Sequence, residues 1–194
     1  MPKIQVPKED ILQAALKLMI REGYEQVNIK SVAKELKRST QTISWSFGNM
    51  DNFRTALAEY ALAYVNRRMY SDASDPMLEY GNVGTVYIDM AFDEPNLIRF
   101  LRSDEKHLKE CGGLGGSFDS EAIAARQKTF SEHYGCSEED AKHFMLTMMI
   151  YTQGLVSMIT AGGLDIDKKT AHKMLSEMGV SMMRLIASDK GKKK

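Results

Sequence analysis

Four prolines, at positions 2, 7, 76 and 95, are all that 194 residues contain, and none interrupts a long periodic segment. Proline lacks an amide proton and clashes with the preceding helical turn, so its placement marks where a helix cannot run. The stretches from Pro7 to Pro76 and beyond Pro95 are therefore open to long helices. Apolar residues recur through both at helical spacing, and the strict alternation of a half-buried strand is absent. The expected fold class is all-α.

Local signals divide these stretches into elements. KEDILQAALKLMIREG sets Ile11, Ala15, Leu18 and Met19 on one face, with Glu9 and Asp10 in the first turn and Gly23 as the stop. Asn28 is an N-cap for a short helix bearing Ile29, Val32, Ala33 and Leu36. Ser39 caps a second short helix, TQTISWSF, whose apolar side is Ile43 and Phe47, and Gly48 and Asn49 end it. A longer helix starts near Asp51, carries Phe53, Leu57, Tyr60, Ala61 and Tyr64 in one stripe, and breaks at SDASDP after about Tyr70. Further helices are expected over 76–91, 94–109, 119–134, 138–161 and 168–188. The glycine-rich CGGLGGSFDS is expected to be a connector, because no strand precedes its glycines and no Lys-Ser/Thr pair follows them.

Hydrophobic residues make up 43% and charged residues 27%, a globular balance. No apolar run approaches the roughly 18 residues of a membrane span, and MPKIQVPKED has no apolar core for a signal peptide. A cytoplasmic protein is expected, with Cys111 and Cys136 as free thiols. The formal net charge of zero conceals a division. Residues 1–70 hold 11 basic against 7 acidic side chains, net +4, and residues 71–194 hold 15 against 19, net −4. A polyanion would meet the N-terminal third, although +4 over that length is also common on ordinary surfaces.

The two short helices, separated only by Lys37, Arg38 and Ser39, have helix-turn-helix spacing. The second would enter the major groove with Thr40, Gln41, Thr42, Ser44 and Ser46 exposed, and Trp45 is a further candidate DNA contact. Hydroxyls and an amide let a helix lie against phosphates and base edges, where an acidic residue would be repelled. Gln41 suits a bidentate adenine contact. Asn28, Lys30, Lys37, Arg38 and Ser39 can face phosphate. The same two-helix spacing also occurs in α-helical domains that never touch DNA.

Residues 9–60 resemble the N-terminal domain of the TetR/AcrR family of transcriptional repressors. The likeness lies in ILQAALKLMIREGYEQVNIKSVAKEL and in the ordered set Ser39, Thr42, Ile43, Trp45, Phe47, Asn49 and Phe53. It implies a three-helix DNA-binding head over 1–50, then a linking helix and a ligand-binding, dimerising body over 51–194. It also implies a homodimer on a pseudo-palindromic operator, released by a small-molecule effector. No cofactor, metal or enzymatic activity is implied. Departures from the pattern are Lys37 and Arg38, where the family usually has Gly and an apolar residue; Ser44 and Ser46 for frequent Tyr and His; and Met50 for a frequent Lys. A left-handed Lys37 would cost about 1 kcal/mol or more, and a buried Arg38 would be expensive. Both can instead face phosphate. Lost phosphate contacts would give weaker binding, lower salt sensitivity or an unusual operator.

The likeness weakens after residue 70 but persists in FDEPNLIRFLRSDE and IYTQGLVSMITAGGLDID. One stripe comprises Ala141, Met145, Met148, Thr152, Leu155 and Ile159, another Ala171, Met174, Leu175, Met178, Met182 and Leu185. Met148, Leu155, Ile159, Met174, Met178 and Met182 are the expected dimer interface, though such stripes also suit the core of a monomer. Ten of the 14 methionines follow residue 70 and can line an adaptable apolar cavity or simply fill a core. Phe92, Phe100, Met145, Met149 and Tyr151 are the candidate pocket. His107 with Cys111, and His133 with Cys136, are soft-metal donors, but local spacing assembles no site of three or four ligands. The alternatives are a helical ligand-binding protein of the same fold with weak or lost DNA binding, and a small helical enzyme or metal protein.

Overall fold

The computed structural model describes residues 6–69, 76–103, 106–107 and 121–192. Among them there are helices and no strand, so the structure is all-α as expected. The helices are α1 (Lys8–Glu22), α2 (Ile29–Glu35), α3 (Thr40–Phe47), α4 (Met50–Met69), α5 (Pro76–Asp93), α6 (Pro95–Ser103), α7 (Glu121–Tyr134), α8 (Glu138–Thr160) and α9 (Lys168–Lys192), with a single 3-10 turn at Tyr24–Gln26. The connector expected at 111–120 lies outside the described residues, as does Cys111; Cys136 is a free thiol.

The chain divides into two compact units. The first takes residues up to Asn66 and returns at Glu94–Gly116, so that α1 to α3, most of α4, and α6 share it. Its core is the set of inward stripes: Ile11, Ala15, Leu18 and Met19 from α1, Val32 and Ala33 from α2, Ile43 and Phe47 from α3, Phe53, Leu57 and Ala61 from α4, and Leu97, Ile98 and Phe100 from α6. Polar links tie α6 into this unit. Asn96 Nδ2 donates to the Ile20 carbonyl at 3.1 Å, Tyr64 Oη donates to Glu94 at 2.8 Å, and the Tyr24 and Phe100 rings meet at 4.6 Å. The division falls at Asn66, inside α4, whereas the expected end of the head is residue 50.

The second unit, Arg67–Asp93 with Ser117–Lys194, contains α5, α7, α8 and α9. Phe130, Ala141, Phe144, Met145, Met182 and Ile186 form one of its cores, with Phe130 and Phe144 stacked at 4.7 Å. Both long helices begin where the sequence supplies a cap. Ser137 and Asp140 form a reciprocal capping box for α8, and Asp167 accepts the Thr170 amide at 2.7 Å ahead of α9. Gly84 allows α5 close to α9, since a Cβ there would sit 3.0 Å from Leu175 Cδ2. Lys168 Nζ lies 2.7 Å from Asp93 and His172 Nε2 3.0 Å from Asp89, joining the same two helices.

Candidate nucleic-acid interface

The site is built from its caps. Asn28 Oδ1 accepts the amides of Lys30 and Ser31 at 3.0 and 3.1 Å, while Ser31 Oγ accepts the Asn28 amide at 3.0 Å, which closes a capping box on α2. Asn28 Nδ2 also donates to the Gln26 carbonyl. The side chain is thus largely committed to the helix start, and one amide proton remains for a phosphate.

At the other end of α2 the Lys37 amide bonds the Lys34 carbonyl at 3.1 Å and the Arg38 amide bonds the Ala33 carbonyl at 2.9 Å. This pair of bonds is a Schellman motif, whose turning residue must be left-handed. Lys37 is that residue, at φ 53°. Glycine would adopt this conformation without the clash that a Cβ makes with the backbone. Arg38 is exposed rather than buried, so its charge stays in solvent.

Ser39 Oγ then accepts the Thr42 amide at 3.3 Å and lies 2.9 Å from the Thr42 hydroxyl, which starts α3 as expected. Ile43 is fully buried and Phe47 nearly so. At 100° per residue the direction opposite these two is occupied by Gln41 and Trp45. Thr40 and Gln41 are exposed, Trp45 is 57% exposed, and Thr42, Ser44 and Ser46 are half-buried on the flanks. The flanking hydroxyls turn back on their own helix. Ser44 Oγ donates to the Thr40 carbonyl and Ser46 Oγ to the Thr42 carbonyl, both at 3.1 Å.

Around this face Lys30, Lys34, Lys37 and Arg38 are exposed, and no Asp or Glu occurs between Glu35 and Asp51. The surface is cationic at the turn and neutral along α3, which suits phosphates at the first and base edges at the second.

The back of the site is held from several directions. Phe47 meets Phe53 edge-on, with ring centroids 5.1 Å apart, and this seats α3 on α4. Asn49 Oδ1 accepts the Asn52 amide at 2.8 Å as the cap of α4, and Asn52 Nδ2 donates to the Phe47 carbonyl at 3.0 Å. Arg21 on α1 forks onto Glu35 on α2, Nη1 to Oε1 at 3.2 Å and Nη2 to Oε2 at 3.0 Å. Hydrogen bonding and attraction from that guanidinium hold the Glu35 carboxyl below its usual range. Asp51 in the first turn of α4 is held low in the same way by its 2.9 Å bond to Lys106, with buried His107 3.6 Å away.

Lys8 Nζ stands 5.5 Å over the Phe47 ring, and Val6, Pro7 and Lys8 line a surface hollow beside Trp45 and Ser46. Helical periodicity could not place Val6 and Pro7, because the segment before α1 carries no repeating pattern.

The dimer and pocket candidates are placed unevenly. Leu155 and Met182 are buried within the chain, and Met148, Ile159, Met174 and Met178 are half-buried. Met148, Met178 and Met182 lie in or against the core around Phe130 and Phe144. The exposed apolar row of α8 is instead Leu146, Ile150 and Met158, with exposed Gly154 between, at successive intervals of four. Of the pocket candidates, Phe100 packs in the first unit, whereas Met145 is a core residue of the second. Phe92, Met149 and Tyr151 are half-buried in the second unit. His107 faces Thr55 Oγ1 at 3.1 Å and Asp51, and among the described residues no group of three or more His, Cys, Asp or Glu is placed to hold a metal.

The model of the bacterial regulatory proteins of the tetR family matches residues 11–57, from α1 into α4. No curated protein matches the chain. A solved TetR transcription regulator from Haloarcula marismortui aligns with a TM-score of 0.72 at 16% identity, over 90% of this chain and 97% of that one. BioQ, solved with its natural double-stranded DNA operator, aligns with a TM-score of 0.58 at 13% identity, over 91% and 99%. A TetR variant from Acinetobacter baumannii in complex with minocycline aligns with a TM-score of 0.57 at 18% identity, over 93% and 98%. At these identities the likeness is one of fold.

Proposed function

We propose, from the match of residues 11–57 to the model of the tetR family of bacterial regulatory proteins and from the likeness of fold to solved regulators of that family, that the protein is a homodimeric, cytoplasmic repressor of transcription released from its operator by a small molecule. The observation that carries this reading is the outward face of α3, free of acidic residues, opposite buried Ile43 and Phe47, and preceded by a turn of exposed cations. Thr40, Gln41 and Trp45 face the bases; Lys30, Lys37, Arg38 and the remaining proton of Asn28 position the helix on phosphate.

A homodimer supplies two such helices, which must lie about 34 Å apart to enter successive major grooves. The α8 row of Leu146, Ile150, Gly154 and Met158 supports this assembly, because it is apolar and open along about three helical turns. An effector in the body acts by preferring the spacing that does not fit DNA. A preference of about 3 kcal/mol lowers operator affinity more than a hundredfold. BioQ with its operator and the minocycline complex are precedents for the two ligand classes on this fold.

Fluorescence anisotropy with duplexes flanking the protein's own gene, and an unrelated duplex as control, tests the reading at two salt concentrations. Saturable, salt-sensitive preference for flanking DNA is expected. Failure to bind any duplex even at low salt would favour a ligand-binding protein that keeps the fold without the DNA function.

A further inference from the structure

Resting on the reading that α3 docks in the major groove, we propose that it reads A·T pairs: Gln41 takes an adenine edge and Trp45 packs on the C5-methyl of a neighbouring thymine. Gln41 and Trp45 are four residues apart on the line opposite Ile43 and Phe47, so they reach deepest into a groove that α3 enters.

The Thr40 hydroxyl can donate or accept and so does not discriminate among bases, and the other side chains of α3 are poorly equipped to read them. The protons of Ser44 and Ser46 are bonded to carbonyls of their own helix, and the Thr42 hydroxyl is engaged with Ser39. TQTISWSF contains no Arg or Lys to bridge guanine O6 and N7, and no Asp or Glu to accept from cytosine N4. Lys37 and Arg38 lie in the turn, before the helix begins.

What remains selects one pair type. A glutamine amide donates to adenine N7 and accepts from N6, a pairing that guanine cannot return because its O6 is an acceptor. An indole that is 57% exposed offers a broad apolar surface, and thymine alone among the bases presents a methyl in the major groove. Beside it the hollow lined by Val6, Pro7, Lys8, Trp45 and Ser46 joins apolar walls to the Lys8 ammonium, which suits a methyl or deoxyribose edge with its phosphate.

The test uses the full-length protein and a duplex enriched from a random pool, with anisotropy read for single-site variants. Exchanging the A·T pair under Gln41 for G·C should weaken wild type roughly tenfold or more and leave Gln41→Ala nearly indifferent. Replacing thymine by deoxyuracil removes only the methyl, and should weaken wild type but not Trp45→Ala. Trp45 is the single tryptophan, so its emission reports the same contact in wild type. Half-sites enriched in G·C pairs alone, or deoxyuracil and Gln41→Ala both without effect on a duplex that still binds, would overturn the proposal. Absence of binding to any duplex would overturn the parent reading as well, and is a distinct result.

Discussion

Lys37 holds φ 53°, the one positive value for a non-glycine residue among those described. The Schellman bonds around it would form equally well with glycine, so the side chain is retained at a cost of about 1 kcal/mol. Lys37→Gly should therefore raise the unfolding free energy by about that amount, read as a higher denaturant midpoint at unchanged slope. If Lys37 faces phosphate as proposed, the substitution should also lower the salt slope of DNA binding by about one unit. Glu35 makes a different prediction. Its carboxyl is held below the ordinary value of 4.5 by Arg21, so its contribution to stability is complete above that value and is lost as pH falls through the lowered one. Glu35→Gln should be less stable than wild type near neutral pH, and urea titrations at successively lower pH should bring the two together.

At the scale of elements, caps and anchors decide how firmly α3 is presented. Ser39→Ala removes the oxygen that accepts the Thr42 amide and should cost about 1 kcal/mol, measured by chemical denaturation. Phe53→Ala removes a side chain that is 1% exposed and the ring against which Phe47 is seated, and should cost about 3–5 kcal/mol. Both devices were legible in the sequence: Ser39 stands directly before the TQTISWSF pattern, and Phe53 opens the stripe of the next helix. The start of α2 was legible for the same reason, from Asn28, because capping is local chemistry. The left-handed turn was legible only as a consequence of the likeness to chains with glycine there. No local signal requires Lys37 to take it.

Assembly and ligand binding at the scale of the whole molecule were less legible. α8 is apolar on more than one side: Ala141, Met145, Thr152 and Leu155 face the chain's own interior, while Leu146, Ile150 and Met158 are exposed. Periodicity finds a stripe but does not say which stripe meets a neighbour, so the expected interface included Leu155 and Met182, which the chain itself buries. The candidate pocket shows the same limit, since nothing in residue spacing places Phe100 in one unit and Met145 in the other. Ile150→Glu, at a side chain 61% exposed, should leave the helical spectrum intact and shift sedimentation equilibrium from dimer to monomer. A dimer unchanged by this substitution would place the seam elsewhere. The most direct measurement for the molecule as a regulator is a salt series of DNA anisotropy, on one enriched duplex and one unrelated duplex, for wild type, Gln41→Ala, Trp45→Ala and Arg38→Ala. Gln41→Ala should lose much of the preference between duplexes with its salt slope unchanged, and Arg38→Ala should weaken on both with a slope lower by about one unit. If Gln41→Ala and Trp45→Ala both discriminate between the duplexes as well as wild type does, α3 is not the helix that reads DNA.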